Sequence, residues 1–233
     1  MGNRVYIIAR KEFLQLFTGV KSLIIIGIFL VTSYYSAKFS TLLVSGIELS
    51  PKETENIHVF GLLVLVILFG QLFIMGLSHD TMNRETHERT MRFLVSRTSR
   101  TSIVFGKFLG IWTFWFSCIV VSHVLIVIFS HRFDLFIFSQ LMSLLTYQIA
   151  FTLLVSTLIP KPAFTMFLGV IVGLMFPALS FWLVFTSNPW FTWMKYLNPY
   201  YYLNREDFTF LVILLLSGMM IGLTHLLFRR KEC

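Results

Sequence analysis

The sequence predicts an all-α, polytopic membrane protein with six transmembrane helices in one domain spanning residues 1–233. Composition is the first reason. Apolar residues make up 56% of the chain and charged residues only 13%, where a soluble domain carries roughly 25% charged. The mean hydropathy is +0.78. A water-facing surface cannot be covered from that inventory, and disorder is excluded by the apolar content. The second reason is that the apolar residues fall in runs long enough to cross a bilayer, which takes about 20 residues. The third is that these runs are continuous, whereas barrel strands would alternate with period two.

The elements follow in order. Residues 4–17 place Val5, Tyr6, Ala9, Phe13, Leu16 and Phe17 on one face, with Arg4, Lys11 and Gln15 opposite. This spacing predicts an amphipathic helix lying in the membrane interface rather than a cleavable signal, whose apolar core it lacks. The spans follow at 22–44, 58–78, 103–130, 137–159, 163–186 and 208–228. A loop at 80–102 joins the second and third spans, and an outer segment at 187–207 precedes the last. Asn188-Pro189 and Asn198-Pro199 divide that segment into short pieces, so it is expected to re-enter the outer leaflet partway.

Basic residues set the orientation. Arg4, Arg10, Lys11, Lys21, Arg84, Arg89, Arg92, Arg97, Arg100, Lys107, Lys161, Arg229, Arg230 and Lys231 fall on one side. Lys52, Arg132, Lys195 and Arg205 fall on the other, among six acids. The positive-inside rule then puts both termini in the cytoplasm. The net charge of +8 is thus explained by topology, and nucleic acid is not an expected partner. Trp190, Trp193, Tyr196, Tyr200, Tyr201 and Tyr202 read as an aromatic belt at the outer interface.

Inside the spans, polar residues are costly and face other helices or a cavity. Gln71 lies in the second span, and Gln140, Ser143, Tyr147, Gln148, Thr152 and Ser156 form a stripe on the fourth. Gln71, Tyr147, Gln148 and Thr152 are candidates for a translocation path, but interhelical hydrogen bonds account for the fourth-span stripe without any substrate and are favoured there. Lys38, near the outer end of the first span, is expected to snorkel. His123 and His225 are expected to be packed side chains. GxxxG pairs at Gly106/Gly110, Gly169/Gly173 and Gly218/Gly222 each permit close helix approach, and Pro177 should kink the fifth span.

Catalytic motifs are missing. No GxxxxGK[ST] is present to cradle a nucleotide triphosphate. His87-Glu88 begins like the zinc motif HExxH, but Met91 stands in place of the second histidine, so no metal site is expected. Gly76-Leu77-Ser78 with His225 leaves an intramembrane serine protease as an alternative, although Ser78 lies at the membrane edge. A passive channel is a further alternative. Cys118 and Cys233 form no disulfide framework. No catalytic, cofactor or metal residue is assigned.

The loop reads DTMNRETHERTMRFLVSRTSRTS from Asp80 to Ser102. Asp80 or Thr81 can cap a helix, Glu85 and Glu88 lie in its first half, and Phe93 and Leu94 stand among arginines. A short charged helix with an apolar tip suits docking into another protein's groove; an ordinary positive-inside loop needs the arginines alone. Residues 88–107 resemble the corresponding loop of exporter-type ATP-binding-cassette permeases, with Glu88, Thr90, Phe93-Leu94, Ser99-Arg100 and Gly106-Lys107 in matching order. Ala9 to Phe13 and Leu197-Asn198-Pro199 resemble two further fragments of that family. The chain departs from it at Arg89, where the family often has Gly, and at Arg97, where it often has Pro.

The resemblance implies a transport subunit whose 80–97 loop is a coupling helix. Glu85, Glu88, Thr90, Arg89, Arg92, Phe93 and Leu94 would contact a cytoplasmic ATPase present in two copies, which would hold the ATP and magnesium. A second permease half, identical or homologous, would join at a seam near Gly169 and Gly173. The expected setting is a bacterial plasma membrane. The expected cargo is an amphiphilic peptide or antibiotic, exported by a producer or expelled for immunity.

Overall fold

The computed structural model describes residues 2–39, 57–186, 189–203 and 207–230. Among these residues every regular element is helical, and six helices are long and apolar enough to span a membrane. The helix expected before the first span is α1 (Gly2–Phe17). The six spans are α2 (Val20–Lys38), α3 (Ile57–Ser78), α6 (Arg100–Ser130), α7 (Leu135–Leu158), α8 (Pro162–Phe185) and α11 (Leu211–Arg230). Two short helices, α4 (Arg84–His87) and α5 (Met91–Arg97), make up the loop between α3 and α6. The outer segment contains α9 (Pro189–Thr192), a 3₁₀ turn at Trp193–Leu197 and α10 (Pro199–Leu203). The expected extension of the first span to residue 44 lies outside the described residues, as do Lys52, Asn188, Arg205 and Cys233.

Caps explain several of the boundaries. Ser99 accepts from the Ser102 amide at the start of α6, and Asp134 accepts from the amides of Phe136 and Ile137 at the start of α7. His131, in the left-handed region at φ 54°, ends α6. Pro162 opens α8, where its missing N–H costs nothing, and the helix continues through Pro177. With 31 residues, α6 is about 46 Å long, so it overreaches a hydrocarbon core of about 30 Å.

The most buried span is α7, which packs against α3, α6 and α11. The first span, α2, lies on α3 and α6, while α8 lies on α3. Trp115 and Phe29 meet at the centre with ring centroids 5.7 Å apart. Lipid tails are as apolar as leucine, so these helices are held by close packing and interhelical hydrogen bonds. Two glycine pairs show it. A side chain at Gly106 or Gly110 would strike Ile8, Ala9 or Glu12 of α1; one at Gly169 or Gly173 would strike Met75 or Leu72 of α3. Gly218 and Gly222 face open space.

The segment before the last span folds back onto the bundle. The Tyr200 hydroxyl donates to the Ile67 carbonyl at 2.6 Å, ten residues into α3 and so about 15 Å along that helix. Asn198 holds the turn, donating to the Ser180 carbonyl at 2.9 Å and accepting from the Tyr200 amide. The aromatic belt is therefore divided: Trp190, Trp193 and Tyr196 are exposed, while Tyr200 and Tyr202 turn into the bundle. Lys38, at the end of α2, is exposed and donates to the Tyr34 hydroxyl at 2.8 Å.

Candidate functional site

Charged and polar groups converge at the end of the bundle that carries α1, the α3–α6 loop and the last turn of α11. The overlong α6 brings Lys107 there. Its side chain has no exposed surface, and its ammonium lies 3.1 Å from Glu12 Oε1 of α1 and 2.9 Å from Glu85 Oε2 of α4. A third bond runs to the Thr81 carbonyl. Glu12 is 4% exposed and Glu85 8%. A buried charge is tolerable only when paired and hydrogen-bonded, and here one ammonium joins three elements far apart in sequence.

The loop is fastened at further points. Asn83 donates to the Ile159 carbonyl at 2.9 Å and to Thr165 Oγ1 at 2.6 Å, reaching the end of α7 and the start of α8. The Met82 amide donates to Ser156 Oγ at 3.0 Å. Arg84 donates to Gln15 Oε1 at 3.0 Å and faces Asp80 at 3.6 Å. Arg100 donates to the Phe228 and Arg229 carbonyls, where a cation also suits the negative end of α11. Thr101 Oγ1 and His225 Nε2 are 3.0 Å apart.

The loop's other face is open. Glu88, Arg89, Thr90, Arg92 and Phe93 are exposed, Phe93 to 74%. Four points differ from the sequence expectation. Glu85 does not belong to the docking face, because Lys107 holds it inward. Leu94 is half-buried against the core, leaving Phe93 as the apolar tip. Neither Asp80 nor Thr81 caps a helix: Asp80 faces Arg84, and the Thr81 hydroxyl donates to the Ser78 carbonyl at 2.9 Å. Finally, one helix is replaced by two, since Arg89 turns the chain at φ 60° and both Thr90 N–H and its hydroxyl reach the Glu85 carbonyl.

That turn explains the glycine usual in similar loops. A non-glycine residue in the left-handed region costs roughly 1–2 kcal/mol. Arg89→Gly should therefore stabilise the detergent-purified protein by up to about 1 kcal/mol, part of the gain being offset by the freer unfolded chain. A thermal midpoint that is unchanged or lower would remove strain at Arg89 from the account.

The other candidates are placed as follows. Gln71 Nε2 donates to Thr152 Oγ1 at 3.2 Å, Gln148 Nε2 reaches the Val66 carbonyl at 3.5 Å, and the Tyr147 hydroxyl reaches Leu197 at 3.4 Å. All four side chains are buried in the chain's interior, so α3 and α7 would have to part before Gln71, Tyr147, Gln148 or Thr152 could line a path. Gly169 and Gly173 are occupied by α3 of the same chain, which corrects the expectation that these glycines themselves form a seam between halves. The protease pair is not assembled, because His225 is engaged with Thr101 and Ser78 Oγ has no hydrogen-bond partner.

Sequence reasoning missed Glu12. The packed face of α1 is Val5, Ile8, Ala9, Glu12, Phe13 and Leu16, with Tyr6 and Phe17 turned outward. A carboxylate on an otherwise apolar stripe was the available signal, hidden by its neighbours Arg10 and Lys11.

These features define a multi-pass membrane protein with an externally addressable loop anchored on a buried ionic cluster. The family profile described as "ABC-2 family transporter protein" matches residues 6–232, and the chain belongs to that family. A search of curated proteins found no match. The family's members are the membrane permeases of ATP-binding-cassette transporters, which associate with an ABC ATPase and are generally not themselves catalytic.

Proposed function

We propose that this chain is one permease half of an ATP-driven exporter. It moves an amphiphilic peptide or antibiotic from the cytoplasm or inner leaflet outward. Two copies of a separate ATPase bind ATP and magnesium, and a second half, identical or homologous, completes the pathway. Both termini face the cytoplasm of a bacterial cell. The observation that carries this reading is the loop's two-sidedness: Phe93, Arg92 and Glu88 stand exposed over a base locked by Lys107, Asn83 and Arg100. A rigid base passes displacement of its tip to α1, α7, α8 and α11 instead of absorbing it. The second half is assigned to the exposed face of α8 at Phe164, Phe167, Ile171 and Leu174, opposite the filled glycine face.

Vesicles containing this chain with its ATPase should accumulate a fluorescent amphiphilic peptide when ATP is supplied, and vesicles with this chain alone should not. Conductance without nucleotide would favour a channel. Peptide cleavage, abolished by Ser78→Ala, would favour a protease.

A further inference from the structure

A cavity of about 60 Å³ lies between α3, α7 and α10, roughly 8–15 Å along the two spans from the end opposite the α3–α6 loop. Leu63 and Ile67 of α3, Leu141 and Leu144 of α7 and Leu203 of α10 form apolar walls. Gln140 is the one polar side chain among the described residues of the lining. Interhelical hydrogen bonding is the expectation for the fourth-span stripe. At Gln140, however, the carboxamide has no hydrogen-bond partner among the described residues, although the residue is only 9% exposed. A buried polar group left in that state is costly, so an occupant that supplies the missing bonds is favoured.

The same shortfall continues along the seam. One turn beyond Ile67 and Leu144, the Oε1 atoms of Gln71 and Gln148 are buried without a hydrogen-bond partner. Both lack a donor. Water is a poor occupant of the cavity itself, because a buried water usually makes about two to four hydrogen bonds and Gln140 is the only side chain here to meet it. A group with apolar bulk and a single hydrogen-bonding unit suits these walls better. Gln140 offers N–H and C=O side by side, and the complement that carries both in one plane is another amide.

We propose that the cavity is a subsite for a peptide group flanked by a branched aliphatic side chain. Gln140 exchanges N–H···O bonds with the peptide group, and the leucine walls take the side chain. At this size the cavity receives one such group and not a whole peptide, for which pockets of roughly 300 Å³ or more are usual. Leu203 stands on the short helix α10, so displacement of α10 would lengthen the site. As a station for peptide cargo the subsite rests on the export reading; as a binding site it does not.

Photo-cross-linking of the detergent-purified protein, without its ATPase, tests this. The probe is N-methyl-4,4-azipentanamide, one peptide group on a short diazirine-bearing chain, and the labelled residues are mapped by mass spectrometry. Labels should fall on the parts of α3, α7 and α10 that line the cavity. N-methyl-4-methylpentanamide should compete about fivefold better than methyl 4-methylpentanoate, which lacks only the N–H. Gln140→Leu should make the two competitors equal and leave the thermal midpoint no lower, because no hydrogen bond within the protein is lost. Leu63→Phe, at a half-buried position, should fill the cavity and reduce labelling. Labels elsewhere, equal competition in the wild type or an amide preference that survives Gln140→Leu would overturn the proposal. So would a lower midpoint for Gln140→Leu, which would make that carboxamide a structural group. Failure here leaves the export reading standing, and failure of ATP-driven uptake in vesicles leaves the binding site standing.

Discussion

Lys107→Met should destabilise the protein by about 3–5 kcal/mol, because it strands two buried carboxylates without their cation. The loss comes from the partners left behind more than from the missing attraction. Replacing all three charges together, as Glu12→Gln, Glu85→Gln and Lys107→Met, should recover much of it, since isosteric neutral groups no longer require a counterion. Thermal unfolding of the detergent-purified variants separates these outcomes. A single substitution as stable as the wild type would mean that the cluster is solvated. A triple variant that is stable but transports poorly would assign the cluster to coupling as well as to folding.

The second large effect concerns the exposed tip. Phe93→Asp should reduce ATPase co-purification by at least tenfold, with membrane insertion and thermal midpoint unchanged. An aromatic side chain 74% exposed contributes little to its own fold, yet such side chains carry binding energies of 2 kcal/mol or more at partner interfaces. Glu88→Arg, also exposed, should weaken the same association more modestly. Leu94→Asp is a less discriminating probe, because Leu94 also packs on the core and its loss mixes folding with docking. Undiminished co-purification with both Phe93→Asp and Glu88→Arg would place the ATPase elsewhere.

The fold was legible because membrane insertion makes local rules dominant. Continuous apolar runs specify each span from its own residues, so 58–78 and 137–159 differ from α3 and α7 by no more than two residues at either end. The loop's existence and its outward tip were equally local properties. Its inner face was not, because it is defined by partners far away. Glu12 and Lys107 are 95 positions apart, and Asn83 and Thr165 are 82 apart. No periodicity within either segment announces such a pair. The glycine pairs illustrate the same limit: the sequence says that something can approach closely at Gly169 and Gly173, but only the fold identifies α3 as the visitor.

Tyr200 has a consequence for the outer doorway. Its ring is wedged among Phe176 and Phe181, and its hydroxyl is tied to the backbone of α3 near the middle of that helix. The short piece Pro199–Leu203 thus plugs the space beside α3 at this end of the bundle. On the export reading proposed above, cargo passing along α3 would first have to displace that plug, a barrier separate from any at the end that carries the α3–α6 loop.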